Sequence, residues 1–474
     1  MESSSRILSH IRTPFDDILP KVEDSSAKFY LDTMRLYLAL SSGTVTYEDA
    51  LNAAEILKKN PEFARSPINP TKLPINKYFT ERIIDNLKTL RKFNLVTKDS
   101  IKSACSFAFL VQNNPINPVD LNTLTILVDY PRSSFTQIAK ATNLAPRTVS
   151  RSMKRLVERH TTRYRALLDY SAWGVNTIIV FFTPHEDIDW QTVEDNLTTF
   201  PFVKTMLKTA MTDLGYISFN IPGTSENVNA FLSSIKALSK TVFNYVSIHQ
   251  QVASSVERNI SLYKNDTWAF PEEVKLLLED PTLPIPETSQ RTVYWRGPQK
   301  GITKDDFVIA SIVKLNSRAS PSDIVSELLH MNLDVDTKRV TTTVKKLINK
   351  NIMMPYVGFA LGLTSDFCFE VVCNQEWIDR IQSILPLFPY VTSFVSPRGV
   401  ILWPSVPGSH QVEYYQMLRA LEEQQGVSSV QSIMTITQKG SRSILDLAAN
   451  WKYTKNGYTV FPDELDLTSF ISEY

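Results

Sequence analysis

Between Asn143 and Arg159 the chain reads NLAPRTVSRSMKRLVER, in which long cations and short hydroxyls are set over an apolar repeat. With Val149, Met153 and Leu156 turned inward at helical spacing, Arg147, Ser150, Arg151 and Lys154 point outward, and Thr148 and Arg155 lie on the flank. Such a face suits nucleic acid. Arginine can make paired bonds to a guanine edge or neutralise a phosphate, while serine and threonine fit close to base edges or to the backbone. Cations also decorate any solvated helix, so the surroundings decide between the two readings. Here Arg132 and Lys140 add positive charge just upstream, and a basic strand follows.

The elements that would hold this face in place are legible. Leu121, Leu124, Ile126 and Leu127 predict a first short helix, Phe135, Ile138 and Ala139 a second, and the cationic stretch a third. Asn143 and Pro146 bracket the break before the third helix, where a proline at the first helical position gives up no hydrogen bond. That succession is a helix-turn-helix layout. In TTRYRALLDY, Arg163 and Arg165 fall on one side of a strand, placed to grip phosphates as a wing.

The feature recurs. RTVSRSMKRLVER (147–159) aligns with KRVTTTVKKLINK (338–350), matching Val149 with Val340, Lys154 with Lys345, Arg155 with Lys346 and Leu156 with Leu347. FPFVKTML aligns with FPYVTSFV, and KNDTWAFPEEV with KNGYTVFPDEL, in the same order. Two copies of one unit are therefore expected, and the second offers Lys338, Arg339, Thr341, Thr342, Lys345 and Lys346 as its DNA-facing set. Asp323, Glu327, Asp334 and Asp336 dilute the positive field of that copy. After the helices, each copy reads as strand, helix, strand, strand, helix, strand, beginning with VNTIIVFF in the first and FCFEVV in the second. A ferredoxin-like α/β sandwich is the natural assembly.

The expected fold class is α+β, with these boundaries: a helical N-terminal region over 1–115, winged helix-turn-helix domains over 116–172 and 303–364, and ferredoxin-like domains with C-terminal extensions over 173–285 and 365–474. The proline-rich stretch 286–302 reads as a linker. In the N-terminal region, the spacing of Leu31, Met34 and Leu38, and of Ile83, Leu87 and Leu90, is that of amphipathic helices, and a further helix should start at Thr46.

Taken together, PRSSFTQIAKATNLAPRTVSRSMKRL and the looser DTKRVTTTVKKLINKNIM, each followed by a βαββαβ pattern, resemble the Lrp/AsnC family of transcriptional regulators. The resemblance covers both repeats but not residues 1–115. It implies double-stranded DNA as partner, contacted through Arg147, Thr148, Ser150, Arg151 and Lys154. It also implies a small-molecule effector and association through the α/β domains, either between chains as a homo-oligomer or within one chain as a pseudo-dimer. The chain departs from the family in having Ala145 and His160 where serine and glycine are usual; Asp336 and Asn351 occupy the matching places of the second copy. In place of the family's Gly-Asp stretch it has TAMTDLGY and SPRGV, so an amino-acid effector does not carry over.

Other chemistry finds little support in the sequence. The six histidines show no metal-ligand spacing, and no nucleophile or phosphate-loop motif appears, so neither a catalytic residue, a metal nor a cofactor is expected. Cys105, Cys368 and Cys373 form no CxxC pair, and the last two read as core. Siroheme decarboxylases, which resemble the same family, supply the enzymatic alternative, with His160, Arg163 and Arg165 near a tetrapyrrole. A protein scaffold that has lost DNA binding is the third reading. A net charge of +1 means that nucleic-acid affinity must come from local clustering. No run is long and apolar enough for a membrane span, so a cytoplasmic location without a membrane partner is expected.

Overall fold

The computed structural model describes residues 42–59 and 116–470, apart from short gaps at 210–212, 288–290, 365–366 and 435, together with scattered helical positions at 32–40 and 84–91. The readings made at Leu31, Met34, Leu38, Ile83, Leu90 and Cys105 lie outside the described residues. The fold mixes helices and sheets, and the described residues divide into two compact units. The smaller holds those up to Asp129, Ser133–Arg163 and Gly358–Gly362; the larger holds Tyr130–Arg132, Tyr164–Val357 and Leu363 onward.

In the smaller unit, α1 (Tyr47–Lys59) begins where Thr46 and Asp49 cap each other, the threonine hydroxyl accepting from the Asp49 N–H and the carboxylate from the Thr46 N–H. Three helices follow: α2 (Pro118–Asp129), α3 (Phe135–Thr142) and α4 (Pro146–Arg159). A capping box of Ser134 and Gln137 starts α3, and Asn143 ends it in the left-handed region at φ 54°, a conformation that asparagine tolerates better than most residues. Leu124, Leu127, Ile138, Val149 and Leu156 are fully buried, so the inward face is the one the apolar spacing predicts.

The larger unit contains two βαββαβ sandwiches. After β1 (Arg163–Leu168), the first comprises β2 (Val175–Pro184), α5 (Trp190–Thr199), β3 (Val203–Thr209), β4 (Gly215–Pro222), α6 (Ser225–Leu238) and β5 (Phe243–Gln250). Next come β6 (Ala253–Arg258), the hairpin β7 (Tyr263–Lys264) and β8 (Thr267–Trp268), and α7 (Glu272–Glu279). Within the stretch read as a linker, Thr292–Tyr294 form β9 and cover the outer edge of β6, which would otherwise expose unpaired amides. A second three-helix head follows: α8 (Lys304–Leu315), α9 (Pro321–His330) and α10 (Thr337–Asn349), then β10 (Met353–Gly358) and β11 (Leu363–Thr364). The second sandwich runs β12 (Phe367–Cys373), α11 (Gln375–Ile384), β13 (Tyr390–Ser396), β14 (Gly399–Pro407), α12 (Gln411–Arg419) and β15 (Val427–Met434). The chain closes with β16 (Ile436–Ser441), α13 (Ile444–Ala448) and the hairpin β17 (Lys452–Thr454) and β18 (Gly457–Thr459).

Each sandwich borrows a strand from the other half of the chain. The first sheet has the order β16-β3-β4-β2-β5, and the main path of the second is β15-β12-β14-β13-β6-β9. β6, which follows the first sandwich, pairs antiparallel with β13 from Ala253 opposite Val395 to Arg258 opposite Tyr390. β16, which follows the second, pairs antiparallel with β3 from Ile436 opposite Thr209 to Ser441 opposite Thr205. At the tight β13–β14 turn Gly399 has φ 156°, and a side chain there would run into the Val371 carbonyl.

The second head is fixed to the first sandwich by aromatic packing. Trp173, fully buried, donates its indole N–H to the Thr303 carbonyl at 3.0 Å and lies edge-on to Phe307, which also packs against Tyr458. The wing expected from Arg163 and Arg165 is built differently. β1 pairs with β10, the strand that follows the second head, rather than folding back as a local hairpin.

Candidate nucleic-acid interface

Each head is organised by a buried aspartate on its first helix. In the first, Asp120 accepts from Ser152 Oγ at 2.5 Å and from Arg155 through Nε at 2.9 Å and Nη2 at 2.6 Å. In the second, Asp306 accepts from Thr343 Oγ1 at 3.0 Å and pairs with Lys346 Nζ at 2.5 Å. Burial pushes both carboxyls up, but these partners outweigh it and hold each below the ordinary carboxylate range. The brace is visible in sequence only as an aspartate in a helix with apolar neighbours, so spacing alone gave no reason to single it out.

Three of the cations read as DNA-facing are thereby tied inward. Arg155 forks onto Asp120, Lys346 reaches Asp306, and Arg339 approaches Asp306 at 3.5 Å. Arg147, Ser150, Arg151 and Lys154 form the exposed face of α4, with Thr148 half-buried beside them. Lys154 stands 3.7 Å from Glu158 across one exposed turn; Arg147 and Arg151 make no ion pair among the described residues. Arg132 and Lys140 are also exposed. Pro146 opens α4, and Ala145 supplies no side-chain cap.

On α10, Lys338, Thr342 and Lys345 are exposed, while Arg339 and Thr341 are half-buried and the Thr341 hydroxyl bonds back to the Thr337 carbonyl. Asp336 caps this helix by accepting from the Arg339 N–H at 2.6 Å, and Asn351 takes the left-handed turn beyond its end at φ 55°. Arg163 and Arg165 are half-buried in β1.

The histidines separate into different environments. His160 is buried at the C-terminal end of α4, where burial pushes its pKa down against the pull of Asp120. His249 joins a network that sequence spacing could not reveal, because its members are far apart in the chain. Its Nε2 lies 2.6 Å from Glu370 Oε1 and its Nδ1 lies 2.7 Å from Ser396 Oγ, while Tyr245 donates to the other Glu370 oxygen. The Ser396 hydroxyl in turn donates to the Gly399 carbonyl. A serine, a histidine and a glutamate in line resemble a nucleophilic triad, yet all three are at most 2% exposed. The network instead links β5 of one sheet to β12 and β13 of the other. Cys368 and Cys373 are buried in apolar clusters, and burial raises the Cys373 thiol to about 12. Among the described residues no group of side chains could hold a metal ion, and no helix is long and apolar enough to cross a membrane.

Residues 116–160 match the family model for winged helix-turn-helix DNA-binding domains, the segment that carries α2, α3 and α4. No curated protein matches the chain. Among solved structures, the chain is similar to the siroheme decarboxylase NirDL, at 11% identity over 75% of this chain and 99% of that one, with a TM-score of 0.36. The same enzyme in complex with an iron-uroporphyrin III analogue gives 11% identity over 74% and 98%, again with a TM-score of 0.36. A third structure, of the protein PH0061, is 17% identical over 29% of this chain and 93% of that one, with a TM-score of 0.21. Likeness at these scores carries no functional weight. What the comparisons establish is a winged helix-turn-helix DNA-binding domain at 116–160.

Proposed function

We propose that this chain is a sequence-specific binder of double-stranded DNA, acting as a transcriptional regulator and not as a catalyst, with α4 as its reading helix. One observation carries the proposal: Arg147 and Arg151 project from an exposed face without a carboxylate partner among the described residues, inside a segment matched to DNA-binding domains. Nearby, Arg155 is tied inward and leaves that face clear. Arginine side chains without a carboxylate partner can fork onto guanine or phosphate at no cost of breaking an ion pair. The recurrence of head and sandwich, each sheet completed by a strand from the other half, supports a tandem duplication of Lrp/AsnC-like modules working as an intramolecular pseudo-dimer. Its site would then be an imperfect palindrome, because the two heads present different faces. The tetrapyrrole reading gains nothing from His160, which is buried against its own head.

The test is duplex DNA binding across a salt series for wild type and for Arg147→Ala with Arg151→Ala. Losing two phosphate or base contacts should weaken binding on the order of 100-fold and flatten the slope of log affinity against log salt by up to about 2. Identical curves for the two proteins, or no duplex binding by either, would leave the face merely solvated and favour the scaffold reading.

A further inference from the structure

A cavity of about 380 Å³ lies within the larger unit, between the facing sides of the two sheets, and no residue of the DNA-facing set lines it. Its size is within the range of small-molecule sites, roughly 300–1,000 Å³. The walls are largely apolar and aromatic, with Ile179 and Leu207 from the first sheet and Phe394 and Trp403 from the second. Two lysines enter this apolar space, Lys204 from β3 and Lys314 from α8. Among the described residues, no aspartate, glutamate or histidine lines it.

Both ammonium groups rest on neutral acceptors. Lys204 Nζ donates to the Arg442 carbonyl, and Lys314 Nζ donates to Tyr170 Oη at 2.8 Å while lying 5.0 Å from the centre of that ring. Neither makes an ion pair among the described residues. Burial lowers Lys204 to about 8, and the neighbouring charge of Lys314 adds to the effect against a weak pull from Asp446. A cation in low dielectric without a counter-ion is costly, and an anion placed beside it recovers much of that cost. Asn220, Ser218 and Gln251 also line the cavity and can bond to a ligand's oxygens.

We infer that this cavity is a binding site for a small organic carboxylate with an apolar, aromatic or branched body, its carboxylate held between Lys204 and Lys314 and its body against Phe394 and Trp403. That the described lining residues include no carboxylate makes the preference sharper: an α-amino acid would bring an ammonium group with no acidic partner among them to receive it. The inference stands apart from the DNA reading, because binding is measured with no DNA present.

The probe is 2-naphthoate, titrated calorimetrically against the full chain, with quenching of Trp295 and Trp403 as a second signal since both indoles line the cavity. The expected result is saturable one-to-one binding. The uncharged 2-naphthamide and the zwitterion 3-(2-naphthyl)alanine should each bind ~10-fold or more weaker, the loss of one charge-assisted contact. Lys204→Met and Lys314→Met should each weaken naphthoate binding by a similar factor. Lys204→Arg should retain binding within about 3-fold, which separates loss of charge from loss of folding. Equal affinity for acid and amide, methionine variants that are folded and bind as wild type does, or no saturable naphthoate binding into the millimolar range would each overturn the assignment.

Discussion

The two heads share an interior and differ in what they show to solvent. Asp120 with Ser152 and Arg155, and Asp306 with Thr343 and Lys346, are the same brace built from different residues. Outside it, residues 116–160 carry seven lysines and arginines against three acidic residues, whereas 302–352 carry eight against six. α4 begins without a side-chain cap, and its Arg147 and Arg151 make no ion pair among the described residues, while α10 begins on Asp336, whose carboxylate caps it. The comparison teaches that a cation's position on a helix does not fix its role. Arg155 and Lys346 lie at matching places one residue beyond Lys154 and Lys345, yet a buried carboxylate draws each inward and leaves it half-buried.

The largest expected effect tests what the heads have in common. Asp120→Ala and Asp306→Ala each leave a cation facing a buried gap and should destabilise the affected head by about 3–5 kcal/mol, read from denaturant unfolding. A loss below about 1 kcal/mol in either head would show that the braces are not equivalent. Because both carboxyls are held below their ordinary value, their stabilisation is present above the unfolded pKa near 4 and is lost as pH falls through the lower folded value. The stability gap between wild type and Asp120→Asn should therefore be full above about pH 5 and shrink below about pH 4.

Next comes the difference in surfaces. Lys338→Ala with Lys345→Ala should weaken duplex binding by no more than about 3-fold, where the Arg147 and Arg151 pair costs on the order of 100-fold. Equal losses would make the second head a full reader and erase the contrast. The smallest effects are at the caps: Asp336→Ala should cost about 1 kcal/mol, and Ala145→Ser should add about 0.5–1 kcal/mol, both measurable as shifts in thermal midpoint. If Ala145→Ser gains nothing, the proline at the first position of α4 already sets that end.

Elements written in local patterns were legible. The β-branched run beginning at Val175 is a strand, the spacing of Val149, Met153 and Leu156 marks an inward helix face, and Asn143 and Pro146 punctuate the turn between helices. What stayed hidden depends on partners far away in the chain. ASSVER and ITQKGS carry no apolar alternation, so nothing local marks β6 and β16 as strands that cross to the opposite sheet. β1 reads as a basic wing, but its pairing with β10 could not be inferred from residues 163–168 alone. The same limit applied to the site. Arg155 read as a DNA-facing cation on the flank of its helix, and only Asp120, 35 residues earlier and placed beneath it, shows that it is tied inward.

The exchange of strands sets a timetable for the nascent chain. The outer strand of the first sheet, β3, emerges from the ribosome more than 200 residues before its partner β16. At roughly 5–20 residues per second, that interval is on the order of 10–50 s. Throughout it the first sandwich has its helices and most of its sheet but keeps one row of amides and carbonyls unpaired, open to pairing with the β3 of another nascent chain on the same message. A stop codon or proteolytic cut anywhere before β16 would make that interval permanent.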